Sequence, residues 1–265
     1  MNTLSKRLLK STSNTFISLV VVAVLWLFSL WALDVTPYIG KNPIDVFNFL
    51  FNSETAAENR TLIFSALNQT MLDASIGFGF GMLFATLVSV LFTLSKGIEQ
   101  ALMPIAMLLR SVPLIAMAPI IILIFGRAEL TVAVMGAIVV LFPALVNIVF
   151  GLRSVTPAMY DLAKVYGANK LTILRTVAFP SSLPSFFAAV KISVPGAITG
   201  ALLVEWLATG SGIGYGIVSA VGRAKANEVW AYVVVITLVS ILLYNIVALI
   251  EESVLARFGF AASNS

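Results

Sequence analysis

Four stretches of this chain, 16–33, 74–95, 130–152 and 229–250, contain no charged residue and are almost wholly apolar. Each approaches or exceeds the roughly 20 apolar residues needed to cross the hydrocarbon core of a bilayer. With no water in that core, every backbone N–H and C=O must be satisfied within the segment, so such runs fold as helices. Two further apolar stretches are interrupted, 100–126 by Arg110 and 184–208 by Lys191 and Glu205. Together these predict an all-α polytopic membrane protein with six transmembrane helices. Little chain is left for a soluble domain: 60% of residues are apolar and 11% charged, against about 25% charged in soluble domains.

The absence of cysteine excludes a disulfide framework and a thiol nucleophile, and the absence of histidine removes the commonest general base and transition-metal ligand. No G-x-x-x-x-G-K-S/T phosphate loop occurs, and no acidic or histidine cluster suggests a metal. The Gly210–Gly216 run resembles a phosphate-binding loop only superficially, since no strand precedes it, and it reads as a re-entrant turn on the outer side. No catalytic residue, metal or cofactor is expected in this chain, nor a nucleic-acid partner. Membrane lipid is its expected surrounding.

Lys6, Arg7 and Lys10 precede the first apolar run, which ends at Leu33-Asp34 without a small-residue cleavage site. It reads as an uncleaved first span rather than a signal peptide. Lys and Arg accumulate on the cytoplasmic side. The loop at 34–60 holds Asp34, Asp45, Glu54 and Glu58 and belongs outside, whereas 151–191 holds Arg153, Lys164, Lys170, Arg175 and Lys191 against Asp161 alone. Both termini and the 151–184 segment are therefore expected in the cytoplasm.

Within the spans, Leu62, Ile63, Leu67 and Met71 suggest that the second helix begins early, and Gly77, Gly79 and Gly81 suggest close packing on a neighbour. Pro104, Pro113 and Pro119 predict a kinked or broken third helix, because each removes a backbone donor. Lys191 is expected to snorkel to the interface, and Asn147 to bond a neighbouring helix.

The 151–184 segment is too short and polar to span and too apolar to be a free loop. Thr156-Pro157 suits a helix start, with Thr as N-cap and Pro at the first position. Met159, Leu162, Ala163 and Tyr166 then fall on one stripe. Gly167 stands where a C-cap needs a left-handed residue, and a second helix fits 169–179, stopping at Pro180. From the residues alone this is either a hairpin resting on the lipid headgroups or a surface gripped from outside the bilayer.

The spacing Asp161-Leu162-Ala163-(three)-Gly167-(nine)-Val177-Ala178-Phe179-Pro180 resembles the E-A-A-x₃-G-x₉-I-x-L-P signature of binding-protein-dependent ABC importer permeases. It departs from that signature by Asp for Glu, Leu for the first Ala, Val for Ile and Phe for Leu. Leu109-Arg110-Ser111-Val112-Pro113-Leu114-Ile115-Ala116 and Glu205-Trp206-Leu207-Ala208, leading into Gly210-Ser211-Gly212-Ile213-Gly214, are similar to the nitrate/sulfonate/taurine branch. That branch also includes transporters of vitamins and their precursors. The resemblance runs from about residue 60 to the C-terminus.

It implies a type I ABC importer permease fold in a bacterial cytoplasmic (inner) membrane. Residues 1–59 would form the tail, first span and outer loop, and 60–265 a permease core with a coupling segment at 155–180. Asp161, Leu162, Ala163, Tyr166, Gly167 and Pro180 would engage two cytoplasmic ATPase subunits, which bind the ATP and Mg. A substrate-binding protein would deliver a small polar or anionic solute from outside, and a second copy of the chain would complete a homodimer. Arg110 with Pro113, and Glu205 with Trp206, are the candidate pathway or gate residues, unless the two charges form a structural pair or are satisfied by backbone. The rival reading, an ion-coupled secondary transporter, calls for more acids at mid-membrane than Glu205.

Overall fold

The computed structural model describes residues 3–260, with side chains from Ile17 onward. Lys6, Arg7 and Lys10, on which part of the orientation argument rests, lie outside the described side chains. The described residues are helical throughout, with α1 (Thr3–Ala32), α2 (Pro43–Phe51), α3 (Ala56–Leu94), α4 (Lys96–Ser111), α5 (Leu114–Phe125), α6 (Glu129–Leu152), α7 (Pro157–Val165), α8 (Lys170–Ile173), α9 (Phe179–Val204), α10 (Gly212–Gly222) and α11 (Ala226–Arg257).

Four rods are long and apolar enough to cross a membrane: α3, α6, the continuous helix Lys170–Thr209 and α11. A fifth comes from α4 and α5, which meet at a bend of 105°. The remaining expected span falls on α1, whose described apolar stretch, Ile17–Ala32, is shorter than the others. Only one of the three prolines in the third apolar run breaks it. Val112, preceding Pro113, is driven into an extended conformation (φ −84°, ψ 122°), as steric clash with the following ring requires, whereas Pro104 and Pro119 sit inside α4 and α5.

The core is the three-way packing of α3, α6 and α9. Small residues bring α3 and α6 together: a Cβ on Gly77 would stand 2.7 Å from the Gly136 Cα, and one on Gly81 would stand 2.5 Å from the Val140 Cβ. Gly79 faces open space and takes no part. The second helix does begin early, at Ala56.

Around this core, α1 is fastened to α11 by the stacked rings of Trp26 and Trp230, 5.0 Å apart. The Trp230 indole N–H also donates to the Ile39 carbonyl at 2.8 Å. A capping box starts α2, in which the Asn42 side chain accepts from Asp45 N–H and the Asp45 carboxylate accepts from Asn42 N–H. At one end of the bundle lie the α3–α4 junction, the end of α6, α7 and α8; α2, α10 and the start of α11 lie at the other.

Candidate functional site

The helix–glycine–helix segment forms as its local chemistry dictates. The Thr156 hydroxyl accepts from Met159 N–H at 3.3 Å, and Pro157 opens α7. Gly167 takes a left-handed φ of +79°. Gly167 N–H then donates to Lys164 O at 2.8 Å and Ala168 N–H to Ala163 O at 3.0 Å, the pair of bonds that closes a Schellman C-cap. Asn169 restarts the helix by accepting from Thr172 N–H at 2.8 Å.

This segment leaves much apolar surface uncovered: Met159 is 46% exposed, Leu162 59%, Val165 83% and Tyr166 83%. Asp161 and Gly167 are exposed as well, and Ala163 is half-buried.

The expected stop at Pro180 does not occur. Leu174–Ala178 form a π-helical turn in which Phe179 N–H donates to Leu174 O, and the helix continues as α9. The wider turn displaces the carbonyls that the proline ring would strike in a regular helix, and the missing N–H falls where the ladder is already offset. The second arm of the segment is thus the base of a membrane-crossing rod, so a force on α7 acts on a helix that reaches Thr209.

Arg110 and Glu205 do not pair, and each has its own setting. Arg110, near the end of α4, lies over the Phe142 ring at 4.6 Å, a cation–π contact. Together with Val112, Pro113, Val139, Phe142, Asn147 and Ile192 it borders an open cavity of about 570 Å³. Its guanidinium is the one charged group on a lining that is otherwise mostly apolar. Asn147 does not bond a neighbouring helix as expected; its amide donates to Pro143 O one turn back at 2.8 Å, since that carbonyl is the acceptor within closest reach.

Glu205 is fully buried. It opens a second π-helical turn, Glu205–Thr209, which ends at left-handed Gly210. Its carboxylate accepts from Gly214 N–H at 2.7 Å, so it caps the N-terminus of α10 from the preceding helix. Thr70 of α3 does the same for Ile213, its hydroxyl accepting at 2.9 Å. Gly212, at φ +80°, leaves the room required, because a Cβ there would collide with the Glu205 carboxyl carbon. The Gly210–Gly216 run is therefore the start of a short apolar helix pinned to α3. Trp206 beside it is 49% exposed.

Asp73 was not among the residues the sequence singled out. It is 4% exposed on α3, accepts from the Gln69 amide at 3.0 Å and lies against Glu205. Asp73 Oδ2 and Glu205 Oε1 both lack a hydrogen-bond donor. Its place at the edge of the uncharged 74–95 run hid it, since only the length of α3 shows that position 73 is inside a rod. Lys191, expected to snorkel, pairs with Glu251 near the end of α11.

The profile of the family described as "Binding-protein-dependent transport system inner membrane component" matches residues 77–258. The chain is 31% identical to a probable ABC transporter permease protein of Haemophilus influenzae, over 78% of this chain and 82% of the relative. It is 29% identical to the formylaminopyrimidine transport permease protein ThiX of Halalkalibacterium halodurans, over 83% and 86%. In structure it is similar to a chain of a bacterial ABC transporter involved in import of the acidic polysaccharide alginate. That match has a TM-score of 0.56 and 17% identity and covers 93% of this chain and 99% of the other.

Proposed function

From the premise that this chain belongs to the family of binding-protein-dependent transport system inner membrane components, and is a multi-pass permease of an ABC importer, we propose that α7 is its coupling helix. One observation carries this. A nine-residue helix with a threonine cap and a glycine C-cap leaves Met159, Leu162 and Val165, and the C-capping Tyr166, 46–83% exposed. A patch of that kind on an ordered element marks a partner surface.

Two separate ATPase subunits receive it and its symmetry mate in a homodimer, with Asp161 supplying a polar contact and Ala163 and Gly167 permitting close approach. ATP and Mg are bound there and not in this chain. Closure of the ATPases pulls on α7, and the rod from Lys170 to Thr209 carries the displacement across the membrane.

In this reading both termini and α7 face the cytoplasm, and the Lys and Arg distribution supports it. A binding protein delivers solute near α2 and α10, where Glu205 and Trp206 shape the gate. Arg110, bordering the cavity beside Pro113, draws a small polar or anionic solute. The name of the Halalkalibacterium relative, a formylaminopyrimidine permease, agrees with a vitamin-precursor solute. Residues 1–59 form an accessory unit around the 60–265 core.

The test is co-purification with a co-expressed ATPase subunit from the same cell. Asp161→Lys and Leu162→Asp should insert and fold normally while ATPase recovery falls at least tenfold. Undiminished recovery by both variants, or solute uptake by the chain alone in proteoliposomes, sinks the assignment.

A further inference from the structure

Between the foot of α3, the end of α6, α7 and α8 lies a cleft of about 600 Å³ that the coupling role does not use. Its lining is divided by chemistry. Lys96, Arg153 and Lys170 contribute cations and Tyr160 a phenol, while Leu94 and Val155 contribute partly exposed apolar surface above the buried Leu152 and Leu174. Glu99 pairs with Arg153 and offsets that cation. Glu99 also lies within electrostatic reach of Lys96, whereas Lys170 has no carboxylate within ion-pair distance among the described residues. Three cations thus face one carboxylate, leaving the cleft a net charge of +2 beside apolar lining, at the level where α3 and α6 end.

We propose that this cleft binds the phosphate headgroup of an anionic phospholipid, with the start of an acyl chain against Leu94 and Val155. The chemistry is that of a basic pocket between transmembrane helices at the cytoplasmic face, and the volume lies within the roughly 300–1,000 Å³ usual for small-ligand sites. An acidic protein segment would satisfy the cations and leave the partly exposed Leu94 and Val155 uncovered. A phospholipid satisfies both. Tyr160 belongs to α7, so an occupied cleft braces the coupling helix from behind, and lipid composition would tune its coupling to the ATPases.

The proposal rests on the reading that this end faces the cytoplasm. That is checked separately: the chain has no native cysteine, so Asn169→Cys is labelled by an impermeant maleimide only from the cytoplasmic side if the orientation is right.

The test of the site is native mass spectrometry of the purified full chain titrated with phosphatidylglycerol or phosphatidylcholine. Retention should favour phosphatidylglycerol. At the strength typical of one basic residue near an anionic surface, Lys96→Gln or Lys170→Gln should weaken it about fivefold, and the double variant about thirtyfold. Arg257→Gln, outside the cleft, should change nothing. Equal retention of the two lipids, or full retention of phosphatidylglycerol by a monodisperse double variant, overturns the proposal. Displacement of the lipid by millimolar glycerol phosphate would identify a free-phosphate site and overturn it too. Loss of ATPase binding with unchanged lipid retention would make the cleft a protein-docking surface and overturn it as well.

Discussion

Two glycines separated by one residue on α3 should respond to the same substitution with opposite sign. A Cβ on Gly77 would sit 2.7 Å from the Gly136 Cα, where carbon atoms prefer about 3.5–4.0 Å. The atom struck is backbone, so no rotamer change relieves it, and α3 and α6 must separate by about 1 Å. Overpacking of that kind costs about 1–3 kcal/mol, part of which is offset by the better helix propensity of alanine. A Cβ on Gly79 meets nothing within 4 Å, leaving the propensity gain, up to about 1 kcal/mol. The propensity gain is common to both, so the two variants should differ by the overpacking cost, about 1–3 kcal/mol, or roughly 2–12 °C in melting temperature for a chain of this size. Thermal melting of the detergent-purified protein, followed by fluorescence-detected size exclusion, measures this. A Gly77→Ala variant as stable as Gly79→Ala would refute the claim that the Gly77–Gly136 approach sets the α3–α6 spacing.

At the coupling turn, Gly167 is left-handed with open space around it, so Gly167→Ala should cost about 1–2 kcal/mol of local conformational strain. Gly167→Asn should relieve that strain, because asparagine tolerates the region, yet recover little of the ATPase binding that Gly167→Ala loses, since its side chain blocks the close approach; full recovery by asparagine would reduce the glycine to a conformational role. Gly212→Ala should destabilise more than Gly210→Ala in the same melting assay. Both residues have positive φ, but only at Gly212 would the new Cβ displace the Glu205 carboxyl and break its bond to Gly214. For the Lys191–Glu251 pair, half-removal should cost more than full removal. Lys191→Met strands a largely buried carboxylate, whereas adding Glu251→Gln relieves it, and a double variant less stable than Lys191→Met would contradict this.

The coupling segment was legible because its structure is written in adjacent residues. Thr156-Pro157 can start a helix and Gly167 can end one whatever surrounds them, and their bonds reach no further than five residues. The break at Pro113 was legible as a class, since any of three prolines could have made it; the structure selects the one whose predecessor becomes extended. The passage of the helix through Pro180 was not legible. It depends on a π-helical turn that no single residue type encodes, between a buried Leu174 and a buried Ala178.

The surroundings of the intramembrane charges were less accessible still. Arg110 could be recognised as costly in lipid, but its neighbour Phe142 lies on another helix. Glu205 could be recognised too, yet its neighbours Thr70 and Asp73 come from α3 and its hydrogen-bond donor Gly214 from the helix that follows.

By itself the sequence determined that this chain lives in a membrane as helices, roughly where they begin and end, and which short segment forms a capped helix–glycine–helix between two of them. These follow from local terms: the transfer cost of each run and the caps at its ends. The tertiary structure decided which face of each rod meets which other, and so which glycines are contacts, where Asp73 lies and where the basic cleft opens. Spans apolar on all sides carry no amphipathic stripe to mark a packing face, and lipid is as apolar as leucine. Only the close fit of one helix against another chooses the faces that meet.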